Sequence, residues 1–305
     1  GGKGGAMTVT LRENSVLFIV NPISGSRRGR NMERIIREAL DPALGEPVIA
    51  FTRYQGHAVE ISREAASLGT RLVVAVGGDG TVNETATGLT GTGSVMGIIP
   101  AGSGNGLARH LKIPMNLRKA VALLSKGRVI SIDTATINDQ LFVNVAGVGF
   151  DAAIAKRFSV AGKRGFSTYL RITAASYRDY KPKHYRLEID GKVYKRTALL
   201  VSFANSSQFG NNTSIDPSAS VSDGLIDVCI VGKIPFWKTL FLAPLLFLNR
   251  FDRTRYVEII RGKNITLHRK KGKNIHLDGD PQEMGKVLHL KINPLSLKVI
   301  IPDNV

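Results

Sequence analysis

Arg71-Leu-Val-Val-Ala-Val-Gly-Gly-Asp-Gly-Thr-Val-Asn-Glu84 is the stretch on which the reading of this chain turns. Leu72–Val76 is a short unbroken apolar run, the pattern of a strand buried on both faces of a parallel sheet. It breaks into Gly77, Gly78, Asp79 and Gly80 and then meets Thr81, which the pattern predicts as a helix N-cap with Glu84 as its capping-box partner. A carboxylate therefore sits in a glycine turn between a central strand and a helix start. Glycine lets backbone come close to a ligand, and the free N–H groups of a helix start attract phosphate. Asp79 itself would repel a phosphate. Its suited tasks are holding a metal ion or taking a proton from an attacking hydroxyl, so the stretch predicts a phosphoryl-transfer site.

The flanking sequence repeats the pattern. Strands are predicted at Ser15–Val20, Val48–Thr52 and Val95–Pro100, and helices at Met32–Leu40, Gly56–Leu68, from the Asp79 turn to about Thr87, and Asn116–Ser125. The first strand ends in Asn21-Pro-Ile-Ser-Gly25 and the fourth opens into Ala101-Gly-Ser-Gly-Asn105. Strands alternating with helices predict a doubly wound α/β domain over residues 8–128, with its ligand loops at the strand C-termini. Past Gly127 strand follows strand, with turns at Asn138-Asp139 and Asp190-Gly191, and Val287–Ile292 and Leu297–Ile301 as two separate late strands. Helical pieces interrupt at Ser167–Tyr177 and Trp237–Leu248. Residues 129–305 are thus predicted as a mostly antiparallel β-sandwich or barrel-like domain, and residues 1–7 as a leader ahead of a natural start at Met7, with no secretory signal after it.

The chain of 305 residues is 43% hydrophobic and 22% charged, ordinary for two globular domains. A lone cysteine, Cys229, excludes an internal disulfide framework and suits a reducing cytoplasm. Net charge +18 calls for an anionic partner: nucleotide phosphates, nucleic acid or an acidic membrane face. The longest apolar stretch, Leu240–Leu248, carries Pro244 and falls short of the ~20 residues of a spanning helix. There is no Gly-x4-Gly-Lys-Ser/Thr loop, no Ser/His/Asp or Cys/His arrangement, and no histidine set at metal-ligand spacing. His57 and His110 are expected to be packing or helix-surface residues, and Cys229 a core residue.

Five motifs stand in order: Asn21-Pro-x-Ser-Gly25, Gly77-Gly-Asp-Gly-Thr81 with Asn83-Glu84, Pro100-x-Gly-Ser-Gly-Asn105, Gly147-x-Gly-Phe-Asp151 and Asp278-Gly-Asp280. This series resembles the diacylglycerol kinase catalytic family, which includes bacterial lipid kinases, sphingosine kinase and ceramide kinase. The resemblance runs from about Val16 to the C-terminus. It implies an NAD kinase-like α/β nucleotide domain, a β-rich lipid-substrate domain, and ATP with Mg²⁺ in the cleft between them. By position, Asn21, Ser24 and Thr52 would line the nucleotide, and Gly78, Gly80, Thr81, Ser103 and Asn105 its phosphates. Glu84 would either help hold the nucleotide or cap its helix. Asp151 would meet the acceptor head group. Asp278 and Asp280 match an Asp-Gly-Glu near Mg²⁺ and the reacting hydroxyl, and the base would be Asp278 or Asp79. Asp280 stands where Glu is usual, and Gly102-Ser-Gly-Asn105 is closer to sphingosine and ceramide kinases than to the Gly-Thr-x-Asn of bacterial diacylglycerol kinases.

Phosphoryl transfer also wants cations. Arg27, Arg28, Lys156, Arg157, Lys163 and Arg164 are candidates, beside the reading that they form a solvated face. Asp223 of Asp223-Gly-x-x-Asp227 is either a structural-metal ligand or part of a tight turn. The apolar segment Phe236–Leu248 is either a core helix or, with Arg250, Arg253 and Arg255 behind it, a contact with anionic lipid. The expectation is an ATP-dependent lipid kinase, cytoplasmic and peripheral to the inner membrane face, with ATP and a membrane lipid as partners and a homodimer left open. The rivals are an NAD kinase-like enzyme and a non-enzymatic binder of nucleic acid or anionic surfaces; no helix-turn-helix or aromatic-basic ribbon supports the nucleic-acid reading.

Overall fold

The computed structural model describes residues 15–22, 26–162, 166–210, 213–214, 219–247 and 250–305. The apolar runs form strands at the core of a parallel layer. β1 (Ser15–Val20), β2 (Glu46–Phe51), β3 (Leu72–Gly77) and β4 (Val95–Pro100) pair in the order β2-β1-β3-β4, with α1 (Ser26–Ala39), α2 (His57–Ser67) and α3 (Asp79–Leu89) between them. β1 and β3 are buried along their whole length, as strands covered on both faces must be. α4 (Gly106–His110) and α5 (Leu117–Lys126) complete the layer. The order reverses between β1 and β3, so the crevice beyond their C-terminal ends lies at a topological switch point.

β5 (Arg128–Ile137), β6 (Gln140–Phe142) and β7 (Val145–Gly149) lead into the second layer. There follow α6 (Phe150–Ser159), α7 (Phe166–Tyr177), β8 (Lys183–Ile189), β9 (Lys192–Ala198), β10 (Leu200–Ala204), β11 (Gln208–Gly210), β12 (Thr213–Ser214), β13 (Ile226–Val231) and α8 (Phe236–Phe247). The chain closes with β14 (Val257–Gly262), β15 (Asn264–Arg269), β16 (Lys273–Leu277), β17 (Asp280–Met284) and β18 (Val287–Ile301). The second sheet runs β14-β13-β10-β7-β16-β17. Its inner face packs on β5, β8, β15 and β18 through Phe142, Leu187, Phe203, Val228, Leu267, Ile275 and Leu288, the interior of an antiparallel sandwich. Its outer face is covered by α6, α7 and α8 around Phe150, Ile154, Leu200 and Cys229. Cys229 is buried there, as its apolar strand implied.

The two halves share one ten-stranded sheet because β18 belongs to both. Its first part pairs antiparallel with β15, its last part pairs parallel with β4, and β5 pairs with it antiparallel from Leu290 to Ile301. What the sequence suggests as two strands, Val287–Ile292 and Leu297–Ile301, is one strand with an irregularity between Asn293 and Leu297. Leu295 adopts φ 47° there, and the buried Asp133 fixes the kink by accepting from Leu295 N–H (2.8 Å) and Gly224 N–H (2.8 Å). Gly149 caps the start of α6, which places Asp151 in its first turn, and Asp280–Met284 forms the edge strand β17 despite Pro281.

A strand common to both cores couples their stability. Ile132→Ala in the first core and Leu267→Ala in the second, both fully buried, should each cost about 2–5 kcal/mol and shift one shared urea transition. Two separable transitions, each moved by only one variant, would contradict the coupling.

Candidate functional site

The loops after β1, β2, β3 and β4 line one edge of the parallel layer. Asn21 N–H donates to Val76 O (3.2 Å), Thr52 N–H to Val20 O (2.9 Å) and Ala101 N–H to Gly77 O (2.9 Å), so Asn21, Thr52, Gly78, Gly80 and Ser103 begin at a common level. Ser24 falls outside the described residues, as do Lys163 and Arg164. The Gly78 and Gly102 turns press backbone to backbone: a Cβ on Gly102 would lie 2.3 Å from Gly78 Cα. No side chain fits between these loops, which leaves a cradle of main chain facing the crevice. Asn105, at φ 56°, braces its own loop by accepting from Gly102 N–H (3.0 Å) and donating to Gly102 O (2.8 Å).

Helix α3 starts earlier than the capping-box pattern suggests. Gly78, in an extended conformation, is its N-cap, and no side chain caps it. Thr81 is buried one turn in, against Gly77. Glu84 reaches sideways and accepts from the backbone N–H groups of Gly56 and Ala58, so it caps the start of α2, not its own helix. Burial, and then the charge of Asp280, raise its carboxyl above the ordinary range.

Asp79 occupies the first turn of α3, where Gly106 N–H donates to its Oδ1 (2.8 Å). Burial raises its pKa to about 6, the nearby Asp278 charge adding to the shift and hydrogen bonds from Gly106 and Asn105 opposing it. Arg109, which anchors to Gly104 O (3.0 Å), supplies a cation within electrostatic reach. Nothing in the sequence marked it beyond its place one turn after Asn105.

Asp278 lies at φ 51° in the turn between β16 and β17 and is buried. Its Oδ2 accepts from Asn83 Nδ2 (2.7 Å) and Val143 N–H (3.0 Å), and its Oδ1 from Asn144 N–H (2.8 Å) and Val145 N–H (3.1 Å). A carboxylate has about four lone-pair sites, and here each has a donor. Burial still raises its pKa above the usual range. Asn83 also donates to Leu141 O (2.9 Å), so one helix of the first domain is tied to the second at two points. Asp280 is half-buried, its Oδ2 accepting from Gln55 Nε2 (3.2 Å) and Gln282 Nε2 (3.0 Å), and burial raises its pKa. Gln55, from the loop after β2, went unnoticed in the sequence, because no local pattern foretells a partner 225 residues away.

Asp151 opens α6 and meets His276 (Oδ2 to Nε2, 2.9 Å). Tyr180 and Tyr185 flank this carboxylate. Burial, with Asp151 adding, raises the Tyr180 phenol to about 12, and Tyr185 is raised further. Asp223 is exposed, and its Oδ1 accepts from Leu225 N–H (3.0 Å): it closes the tight turn before β13. His110 is neutral, its pKa lowered to about 4 by burial, and it pairs with Ser207 (2.9 Å) as a packing residue.

Among the described residues no three His, Cys, Asp or Glu side chains converge as a metal cage. Mg²⁺ in kinases is held by one or two carboxylates together with phosphates and water. Asp79 beside the glycine cradle and Asp280 on the facing turn are hard oxygen donors that fit that mode.

Residues 15–137 match the diacylglycerol kinase catalytic domain, and residues 144–301 match the YegS C-terminal NAD kinase beta sandwich-like domain. A protein of Enterobacter sp. (strain 638) named "Probable lipid kinase YegS-like" is 30% identical over 284 residues, covering 88% of this chain and 92% of that one. A protein of the same name from Klebsiella pneumoniae (strain 342) is 30% identical over 287 residues, covering 91% and 94%. The crystal structure of "a putative diacylglycerol kinase from Bacillus anthracis str. Sterne" superposes with a TM-score of 0.81 at 25% identity, over 97% of this chain and all of that one (100%).

The role of the Asp278 clasp can be separated from that of Asp280. Asp278→Asn turns two acceptor positions into donors facing donors and should cost at least about 2–3 kcal/mol of stability together with activity. Asp280→Asn should change stability by less than about 0.5 kcal/mol while still lowering turnover. Chemical denaturation beside activity assays checks both. The chain belongs to the diacylglycerol kinase family of ATP-dependent lipid kinases, phosphotransferases whose acceptor is an alcohol group.

Proposed function

We propose that the protein transfers the γ-phosphate of ATP to a hydroxyl of a membrane lipid in the crevice between its two domains. The observation that carries the proposal is the meeting of the main-chain cradle at Gly78 and Gly102 with Asp79 and the Asp278–Asp280 turn. In this reading the nucleotide lies over Asn21 and Thr52, with its phosphates against Gly78, Gly80, Thr81 and Ser103. Asn105 holds the loop in shape, and Glu84 sets the start of α2 beside it. Arg109 supplies positive charge near the transferred group. Mg²⁺, held by Asp79 or Asp280 with the phosphates, would neutralise their charge.

Phosphoryl transfer is mostly positioning, so the protein's own proton chemistry is small. Asp278, with its oxygens occupied, serves as the clasp that holds the turn. Asp79, ionised at neutral pH yet with a pKa near 6, is the better proton acceptor for the attacking hydroxyl. Asp151 orients the acceptor head group beside Tyr180 and Tyr185. Asp223 acts in its turn, and no metal is assigned to it.

The substrate sits in a bilayer, and α8 supports a membrane-facing role. Phe236, Trp237 and Phe241 are 64%, 66% and 77% exposed. Lys238 lies over the Trp237 ring (4.9 Å), and the exposed Arg250, Arg253 and Arg255 follow. Aromatic side chains ringed by cations suit an anionic lipid surface. No described helix is long and apolar enough to cross a membrane.

Labelled γ-phosphate from ATP should appear in one lipid of a panel of diacylglycerol, ceramide and sphingosine, and not in NAD; label only in NAD would replace the proposal with the NAD kinase-like reading. Activity should rise with pH through about 6 as Asp79 loses its proton. Asp79→Asn should remove that limb and at least about a hundredfold of turnover. For the membrane face, Trp237→Ser with Phe241→Ser should weaken cosedimentation with phosphatidylglycerol vesicles at least about tenfold, since each buried aromatic contributes roughly 1.5–3 kcal/mol. Binding equal to wild type would remove α8 from the membrane contact.

A further inference from the structure

His276 lies on β16 directly across from Gly147 of β7. Its ring is buried, and both nitrogens are engaged. Gly279 N–H donates to Nδ1 (3.2 Å), and Nε2 stands 2.9 Å from Asp151 Oδ2. A ring nitrogen that accepts an N–H carries no proton, so the proton is assigned to Nε2, which donates to the carboxylate. The imidazole is therefore neutral and is occupied at both ends. It has no lone pair left to act as a base.

The backbone is cleared for this contact. A Cβ on Gly147 would lie 2.1 Å from Asp151 Oδ2 and 3.1 Å from His276 Nε2, so any larger residue there would push the pair out of this geometry. Asp151 is held from its other side by Ala152 N–H on Oδ1 (2.9 Å). The histidine thus joins two parts of the site that are distant in sequence: the carboxylate at the start of α6, and the central residue of the Asp278-Gly279-Asp280 turn. A planar ring has no internal torsion to adjust, so it transmits a fixed separation.

We propose that His276 is a positioning residue, a rigid strut that sets the acceptor-side carboxylate Asp151 at a fixed distance from the Asp278–Asp280 turn. The proposal rests on the reading that Asp151 meets the lipid head group. The strut acts on the lipid hydroxyl through Asp151 and leaves the nucleotide loops untouched. Its effect falls on how the acceptor is presented, not on how ATP is held.

Side-chain shape supplies the test. Asparagine can place its amide oxygen near Nδ1 and keep the Gly279 contact, but is too short for Asp151. Glutamine can place its amide nitrogen near Nε2 and keep the Asp151 contact. His276→Asn should raise the lipid KM at least tenfold with the ATP KM within twofold, and His276→Gln should return the lipid KM to within threefold of wild type. The double variant His276→Asn/Asp151→Asn should be no worse than Asp151→Asn alone, because one residue acts through the other. Multiplying penalties, or equal damage to ATP and lipid KM, would overturn the strut. An unchanged lipid KM in Asp151→Asn would instead overturn the acceptor role of Asp151.

The ring itself can be read without any turnover. In full-length protein labelled with ¹⁵N-histidine, His276 should show a protonated Nε2 and a bare Nδ1, with the Nε2–H signal shifting strongly in Asp151→Asn. A ring protonated on Nδ1, or indifferent to Asp151, would overturn the proposal even if no lipid in the panel were phosphorylated.

Discussion

The Asp278 carboxylate and its four donors hold the crevice together. Three of those donors are consecutive main-chain N–H groups, Val143 to Val145, and the fourth is Asn83 from a helix of the other domain. Leaving a buried carboxylate without partners would cost several kcal/mol, so the turn, the β6–β7 connection and α3 stay in register together. Asp278 N–H in turn donates to Val145 O (2.8 Å), closing the contact in both directions. Asp280, Gly279 and, through His276, Asp151 all take their positions from this turn.

Against that fixed turn the first domain presents backbone rather than side chains. The Gly78 and Gly102 loops approach too closely for a Cβ on Gly102, and Asn105 spends its amide on its own loop. What faces the crevice is consequently main chain and one buried carboxylate, Asp79. Fixed dipoles of this kind stabilise a developing charge without having to reorganise at the moment of reaction. The same closeness explains why Asp79 holds its proton more tightly than a surface aspartate: burial and the Asp278 charge act together on it.

Most of this framework is legible in the sequence. Unbroken apolar runs mark β1 and β3, glycine follows them, and the ordered motifs bring Asn21, Asp79, Asn105, Asp151 and Asp278 to one family. Legibility ends where a residue's role depends on a distant partner. Thr81 and Glu84 have capping-box spacing, yet Gly78 begins the helix and Glu84 finds better donors at the start of α2. Gln55, Arg109 and His276 sit in unremarkable local sequence, and their meaning comes from contacts across the crevice. The polar, proline-containing β17 defeats periodicity because edge strands need no apolar face.

β18 joins the two domains through a single strand. A strand that pairs with β15 at one end and β4 at the other makes the sheet continuous, so hinge opening of the crevice cannot occur by sliding one sheet away from another. Motion must instead be taken up where the strand is already irregular, at Asn293–Leu297, and there Asp133 ties Leu295 to Gly224. The architecture therefore favours a crevice of set width, with adjustment confined to side chains and loops. In such a site catalytic distance is decided by short rigid connections within the second domain. That places the burden of alignment on the Asp278 turn and on His276, which links it to Asp151.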